Sequence, residues 1–469
     1  MFSNSLKKSF NWIDLIKRVA VIAIPVALQN LLTTTGSMID TMMISSLGER
    51  YVAAVGLCGQ FSFLMFNCYW GFACGGCLFF AQYWGAKDDD GICRSYGITM
   101  TCLMTIAFIF ALFGAFRPDI VMKIYTDNSA IQKIGIDYLK IVSWSYPLMV
   151  LAIGMSSLLR CTERVKIPLY ASIASVATNT FLNWVLIFGN LGAPALGVRG
   201  AAIATLISNI VNVLVIFICA LKIKYPFLFR FNKFFKWNKE FLVLYIKKCF
   251  PIICNEFLMG IGLLVINIVL GHQEEAAIAA VAVFRTIEGM IIGFFVGFSN
   301  AASVLVGKSV GAGEIKEAYE RAIRIVYLCQ ITIFAAMAIL FAVHVPLLHF
   351  MHLSGLSFKY ATGEIIIYGA ACVLRMGNWT QNDTYRSAGD ATFGTVLELT
   401  FMYVLILPAL LIANYVFKAP FLVVFAMCFI DEPIRYILMQ IHMYSGKWIK
   451  PVTPEGKEGL KVWKKEKNQ

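Results

Sequence analysis

The chain is written twice: at one constant offset it lies on itself without a gap. Pro25 falls on Pro251, Ala53-Ala54-Val55 on Ala279-Ala280-Val281, Gly71-Phe72 on Gly297-Phe298, Gly85-Ala86 on Gly311-Ala312, and Arg160 on Arg386. A repeat of that length predicts two homologous halves and excludes a solenoid of short modules.

What each half is made of follows from hydropathy. Hydrophobic residues are 59% of the 469 and charged ones 14%, more apolar surface than a soluble core can bury. A membrane-crossing helix needs roughly 20 mostly apolar residues. Twelve such windows are expected, near 20–45, 52–83, 95–116, 131–158, 168–190, 199–221, 246–270, 277–307, 322–344, 361–385, 393–415 and 419–443. The predicted fold class is therefore an all-α polytopic membrane protein of two six-helix lobes, 1–220 and 245–446. A basic cytoplasmic linker over 221–244 joins them, and a basic cytoplasmic tail over 447–469 follows. Small residues let membrane helices approach closely, so Gly75, Gly76, Gly293 and Gly297 are expected at packing contacts. The N-terminal stretch MFSNSLKKSFNWIDLIKR lacks the pattern of a cleavable signal peptide.

The net charge of +13 could suggest nucleic acid, but its placement answers otherwise. Lysines and arginines crowd the N-terminus (Lys7, Lys8, Lys17, Arg18), the linker (Lys222 to Lys248) and the tail, while the 271–276 loop has none. An even number of spans puts all three basic regions on one side. The positive-inside rule makes that side the cytoplasm of a cell membrane, where these residues would meet anionic lipid headgroups. The linker's aromatics, Phe227 through Trp237, suit an interfacial helix. Cys74-Gly-Gly-Cys77 has redox-motif spacing but sits mid-span, where small-residue packing explains it better than zinc or redox chemistry. His344, His349 and His352 have no Cys or carboxylate company and suit a solvated loop. No metal site or cofactor is expected from either group.

Asp40 is the only acid in the first apolar span, fifteen residues beyond Pro25 and so about 22 Å along the helix. Pro25 removes a backbone hydrogen bond and is a natural bend point. A carboxylate at membrane depth should face a bundle interior, take up a proton or hold a cation; the plainer reading is a helix cap near the surface. In the fifth span Asn179 and Asn183 share one helical face. Asn183, and Thr205 in the sixth span, are expected at a similar height to Asp40. Together they offer a hard-oxygen set suited to a proton relay or Na⁺, or to hydrogen bonds that only join the bundle.

The second half carries its own charges. Glu256 follows Asn255 in span seven, Arg285 and Glu288 lie three apart in span eight, and Arg375 and Asp383 occupy span ten. Glu398 follows in span eleven, with Asp431, Glu432 and Arg435 in span twelve. Arg285/Glu288 and Asp431/Arg435 are expected ion pairs. The acids outnumber the bases, which leaves Glu256 and Glu288, with Arg285 and Arg375 nearby, as candidates to meet a cationic substrate.

The first-span MID with its Leu-Gly turn and AAVGL, then AQYWGA, the LLR and YRSAGD turns, and GVRGAAIATLISN together resemble the multidrug and toxic compound extrusion (MATE) transporters over essentially the whole chain. That resemblance implies a V-shaped bundle whose lobes enclose a central cavity. It also implies alternating access and export of organic cations in exchange for H⁺ or Na⁺, with no enzymatic activity. Asp40 matches the family's coupling carboxylate, Pro25 its helix bend, and Asn179 and Thr205 the polar partners. Asn183 stands where some members have aspartate, which favours H⁺ over Na⁺. Glu256 resembles the glutamate of a branch that uses its carboxy-terminal lobe. That branch's span-ten aspartate has no aligned counterpart near Arg375. A monomer is expected, since the repeat supplies both halves. Two rivals stand beside this reading. A lipid-linked saccharide flippase of the same superfamily would need a cavity rich in arginine and lysine. A polytopic membrane enzyme would need an interfacial cluster, for which only Lys87-Asp-Asp-Asp90 offers itself.

Overall fold

In the computed structural model, which describes residues 11–351 and 353–468, the chain is helical throughout. Lys7, Lys8 and His352 lie outside the described residues. The amino-terminal lobe contains α1 (Trp12–Ser45), α2 (Glu49–Gly85), α3 (Asp89–Phe116), α4 (Pro118–Tyr125), α5 (Ser129–Val142), α6 (Ser145–Cys161), α7 (Lys166–Phe188) and α8 (Val198–Lys222). A single turn, α9 (Phe231–Phe234), precedes the carboxy-terminal lobe. That lobe contains α10 (Lys239–Gly271), α11 (Glu275–Gly311), α12 (Ile315–Phe350), α13 (Gly355–Ser387), α14 (Ala391–Thr400), α15 (Leu407–Leu411), α16 (Phe421–Met427) and α17 (Glu432–Ser445). The last helix is α18 (Pro454–Asn468).

Local chemistry sets the helix ends. Asn11 and Asn238 cap α1 and α10 by accepting from Asp14 N at 3.1 Å and Phe241 N at 2.8 Å, and Asp88 caps α3 through Gly91 N at 2.8 Å. These side chains satisfy backbone donors that have no partner inside the helix. Gly189 and Gly446, in left-handed conformation, end α7 and α17. Pro25 and Pro251, the repeat pair, both sit inside uninterrupted helices.

Among the described residues nine helices are long and apolar enough to cross a membrane, or ten if α5 and α6, bent by 51°, form one span. Helices also cover the tenth and twelfth expected spans, as α13 and as α16 with α17, but both carry buried charge that lowers their hydropathy. Those charges are the polar network described below.

The linker departs from expectation. In place of a long helix the linker has the single turn α9; Phe227 and Phe234 are buried against the amino-terminal lobe, the Phe234 ring 5.2 Å from Tyr96, while Phe231 and Phe235 are 60% and 68% exposed. Its Arg230 pairs with Asp89 at 3.0 Å, and Lys233 pairs with Asp90. The acidic turn is thus tied to the linker while Asp89 and Asp90 stay about half exposed, at 48% and 59%. The stretch from 447 to 468 is docked as well. Trp448, Ile449 and Val452 are buried, Val452 N donates to Gln82 Oε1 at 2.8 Å, and Thr453 Oγ1 donates to the Gly311 carbonyl at 2.8 Å.

The lobes meet through α1 against α11 and α2 against α10, contacts that the repeat exchanges. At the end bearing the termini, backbone approaches backbone. A methyl added at Gly85 would lie 1.9 Å from the Lys308 carbonyl oxygen, and one at Gly311 would lie 1.9 Å from that of Gln82. Gly85 and Gln82 are the repeat equivalents of Gly311 and Lys308, so one contact is made twice. Gly75, Gly76 and Gly297 also face close neighbours, whereas Gly293 is looser, 3.7 Å from Asn30. The Asn30 amide donates to the Gly293 carbonyl at 3.2 Å. Among the described residues no cross-lobe hydrogen bond or ion pair lies nearer the far end than this one. Gly56, Gly59 and Gly289 have nothing within 4 Å where a Cβ would point. The lobes are joined at the terminal end and part toward the other.

Gly85→Ala should therefore strain the joined arrangement by about 1–3 kcal/mol. Spin labels at positions 87 and 316, one on each lobe, should show a new population at longer separation. An unchanged distance distribution would count against the contact as the lock.

Candidate functional site

Polar side chains inside an apolar bundle must find one another, and in the amino-terminal lobe four helices deliver them. Asp40 comes from α1, five residues before its end, and Asn179 and Asn183 come from consecutive turns of α7. The fully buried Asn183 amide donates to Asp40 Oδ1 and, at 3.2 Å, to Asn179 Oδ1. Both of its N–H groups are thereby used, while its own Oδ1 has no partner among the described residues. Thr205 on α8 turns its hydroxyl to the Ala201 carbonyl on its own helix, at 3.0 Å, rather than to Asp40. Tyr138, its phenol buried, comes from α5, which packs against α8.

No lysine or arginine pairs with Asp40 among the described residues. The cluster is one carboxylate among neutral oxygens and amides, with spare acceptors. That chemistry suits a group that gains and loses a proton, or a small hard cation with oxygen ligands.

The carboxy-terminal lobe is built the opposite way. Glu288 accepts from Arg285 at 2.7 Å and Arg375 at 2.9 Å, and Arg375 lies 5.3 Å from the ring centres of both Trp379 and Phe429. Arg435 meets Glu432 at 2.8 Å, Asp431 at 3.4 Å and Glu398 at 3.5 Å. Glu398 also accepts from Asn255 at 2.9 Å and Asn382 at 3.0 Å. Glu256 is held by Arg386 at 2.9 Å, and the same guanidinium lies 3.7 Å from Asp383, which accepts from Ser299. Each arginine of this network faces at least one carboxylate, so Glu256, unlike Asp40, has a cation beside it.

Three residues of these sites escaped the sequence reading. Arg386 served there only as a repeat marker, yet it is the counter-ion of Glu256. Its equivalent Arg160 finds no acid within pairing distance among the described residues and donates to Ser157 Oγ at 3.2 Å. Glu364 lies inside the expected 361–385 span, fully buried, with neither oxygen hydrogen-bonded among the described residues. The rule that singled out Asp40, an ionisable residue at membrane depth, applies to it equally. Tyr138 gave no sequence signal, since one tyrosine in an apolar helix resembles core packing. Cys74 and Cys77 lie within α2, and Cys249 fills the space beside Gly75.

Comparison with known proteins agrees with the two-lobed fold. A family model described as MatE matches residues 25–185 and again 251–412, so the two matched segments begin at Pro25 and Pro251, the pair that the internal repeat superimposes. The probable multidrug resistance protein YoeA of Bacillus subtilis is 29% identical over 302 residues; the match spans 64% of this chain and 65% of that protein, just under two thirds of its length. The probable multidrug resistance protein NorM of Thermotoga maritima is 23% identical over 461 residues, 96% of each chain. Among solved structures, one described as MATE in complex with MaL6 superposes with a TM-score of 0.82 at 16% identity, covering 94% of this chain and 100% of that one. At that identity the likeness shows the fold.

The paired network makes a stability prediction. Arg386→Met leaves Glu256 and Asp383 without their cation and should cost about 3–5 kcal/mol. Adding Glu256→Gln should recover part of that loss. Thermal unfolding of the three proteins in one detergent checks this, and no recovery in the double variant would mean that Arg386 acts through packing alone.

Proposed function

Because the chain belongs to the MatE family, the multidrug and toxic compound extrusion transporters, we propose that it is an antiporter that expels lipophilic organic cations in exchange for H⁺ or Na⁺. The observation that carries this reading is the unpaired Asp40, bonded to the Asn183 amide in a lobe that parts from its partner at the far end. Supporting it are the names of the relatives, the family match over both halves and the acid excess in the carboxy-terminal lobe. H⁺ stands ahead of Na⁺, because an asparagine rather than a second acid sits at 183.

In this mechanism the loaded and empty forms of Asp40 favour different arrangements of α1 about Pro25, and those arrangements differ in affinity for the organic cation. An ion can drive transport only through such a difference between states. Asn183 keeps the carboxylate oriented, and Asn179, Thr205 and Tyr138 complete its surroundings. Glu256, Glu288, Arg285 and Arg375 serve the carboxy-terminal side of the cavity, where excess carboxylate favours a cationic guest. Aromatic faces and methionine sulfur can hold a planar cation without strict geometry. The protein works as a monomer in the cell membrane, with the terminus-bearing end in the cytoplasm and the basic residues there against anionic lipid. The flippase reading is disfavoured, since Arg285 and Arg375 are already engaged by Glu288 and are not free to hold a pyrophosphate.

The test is dye efflux from vesicles of reconstituted protein, with pH and Na⁺ gradients imposed separately. Wild type should move dye under the pH gradient, and Asp40→Asn should lose at least nine-tenths of that flux with unchanged thermal stability. Full flux in a well-folded Asp40→Asn would overturn the assignment of Asp40. Absence of flux in wild type under either gradient would overturn cation antiport altogether.

A further inference from the structure

At the opposite end of the bundle from Asp40, beneath the carboxy-terminal lobe, lies a concavity of about 590 Å³. Three separate stretches of chain supply lysines to it: Lys248 from α10, Lys447 and Lys450 from the turn after α17, and Lys457, Lys461 and Lys464 from α18. No acidic residue lines it. The last three are spaced by four and three residues and so share one helical face. Lys457 and Lys464 are about 10 Å apart along the helix axis.

This charge is sorted, not scattered. The other flank of α18 turns Glu466 toward a second concavity, shared with Glu314, Glu317 and Glu320 at the start of α12. Of the other two acids of α18, Glu455 and Glu458, neither lines the lysine concavity and neither forms an ion pair with its lysines among the described residues. Two of the lysines are fixed in place: Lys450 pairs with Asp390 at 2.9 Å, and Lys248 donates to the Gly389 carbonyl at 2.7 Å. Lys447, Lys457, Lys461 and Lys464 have no ion pair among the described residues. Around Lys248 the charges are Lys450, Lys247 and Lys457 with one acid, Asp390. The wall itself is rigid, since the Trp463 ring packs 5.6 Å from Tyr319 and the turn at Gly459 touches the Gly313 backbone. A group of ammonium ions held on a fixed wall, with Asp390 engaging only Lys450 among them, presents a net positive surface to a compact polyanion.

The position identifies the kind of polyanion. On α10, beside Lys248, Ile246 and Phe250 are 51% and 61% exposed, apolar surface that belongs against acyl chains. The lysines therefore stand where the apolar belt ends, at the height of lipid headgroups. The run from Lys457 to Lys464, about two turns of helix, is longer than a single phosphate can span. We propose that this concavity binds the headgroup of an anionic phospholipid bearing two phosphate groups, one toward Lys457 and one toward Lys464. The site is independent of which ion Asp40 carries and of which substrate is exported.

The test uses the full-length protein in neutral detergent micelles, titrated with cardiolipin, with phosphatidylglycerol and with inorganic pyrophosphate. Bound ligand is counted by native mass spectrometry. Cardiolipin is expected to bind most tightly, and Lys457→Gln/Lys461→Gln/Lys464→Gln to weaken it at least tenfold. Those side chains are at the surface, so unfolding of the ligand-free variant should match wild type. A control, Lys222→Gln/Lys224→Gln/Lys236→Gln, removes the same charge from the linker and should change binding less than twofold. Equal losses in the two triple variants would reduce the effect to a diffuse field and overturn the site. Equal affinity for phosphatidylglycerol would overturn the two-phosphate headgroup. Retention of pyrophosphate without cardiolipin would overturn the lipid.

Discussion

The paired approach of Gly85 to the Lys308 carbonyl and of Gly311 to the Gln82 carbonyl holds the two lobes together. Because the repeat exchanges these contacts, each lobe offers the other the same small residue at the same height. Hydrophobic force cannot do this work in a bilayer, where lipid tails are as apolar as any helix face; close packing of small residues and hydrogen bonds must. Gln82 adds the hydrogen bonds, donating to the Ser387 carbonyl at 2.8 Å and accepting from Val452. Lys308 and Glu163 add an ion pair at 2.6 Å. Toward the far end the fastening stops: Gly56, Gly59 and Gly289 have nothing within 4 Å where a Cβ would point.

The two halves share a backbone plan but handle charge in opposite ways. In the first, one carboxylate accepts from the Asn183 amide, and among the described residues no lysine or arginine pairs with it. In the second, Glu256, Glu288, Glu398 and Glu432 each have an arginine within ion-pair reach. Paired charges inside a low-dielectric bundle resist titration, since neutralising one partner strands the other. An unpaired carboxylate has no such anchor, and its proton or ion can come and go. Equivalent positions show how the difference arises: Glu256 corresponds to Asn30, so Arg160 and Arg386 begin alike and only the second meets an acid.

Much of this was legible in the sequence. The internal repeat implied two halves, the apolar windows marked the helices, and depth along α1 and α7 brought Asp40 near Asn183. Arg285 with Glu288 and Asp431 with Arg435 could be paired from helical spacing alone. What stayed hidden depended on which face a helix turns and on contacts between distant segments. The Thr205 hydroxyl chose its own backbone, Arg386 reached Glu256 across 130 residues, and Phe227 and Phe234 of the linker packed inward beside the Arg230–Asp89 and Lys233–Asp90 pairs. Composition made the carboxy-terminal stretch look like a solvated tail; Trp448, Val452 and Thr453, few among many lysines, decide that it docks.

The docking of that stretch sets an order for biogenesis. Gln82 and Val452 are 370 residues apart in the chain, and at typical elongation rates the second is made about 20–70 s after the first. During that interval the remaining helices are made and can insert and pack, but the Gln82 side-chain carbonyl lacks its final donor, and the Gly311 carbonyl, once made, lacks Thr453. The fastening of the two halves is therefore completed last, after every helix that it holds is already in the membrane.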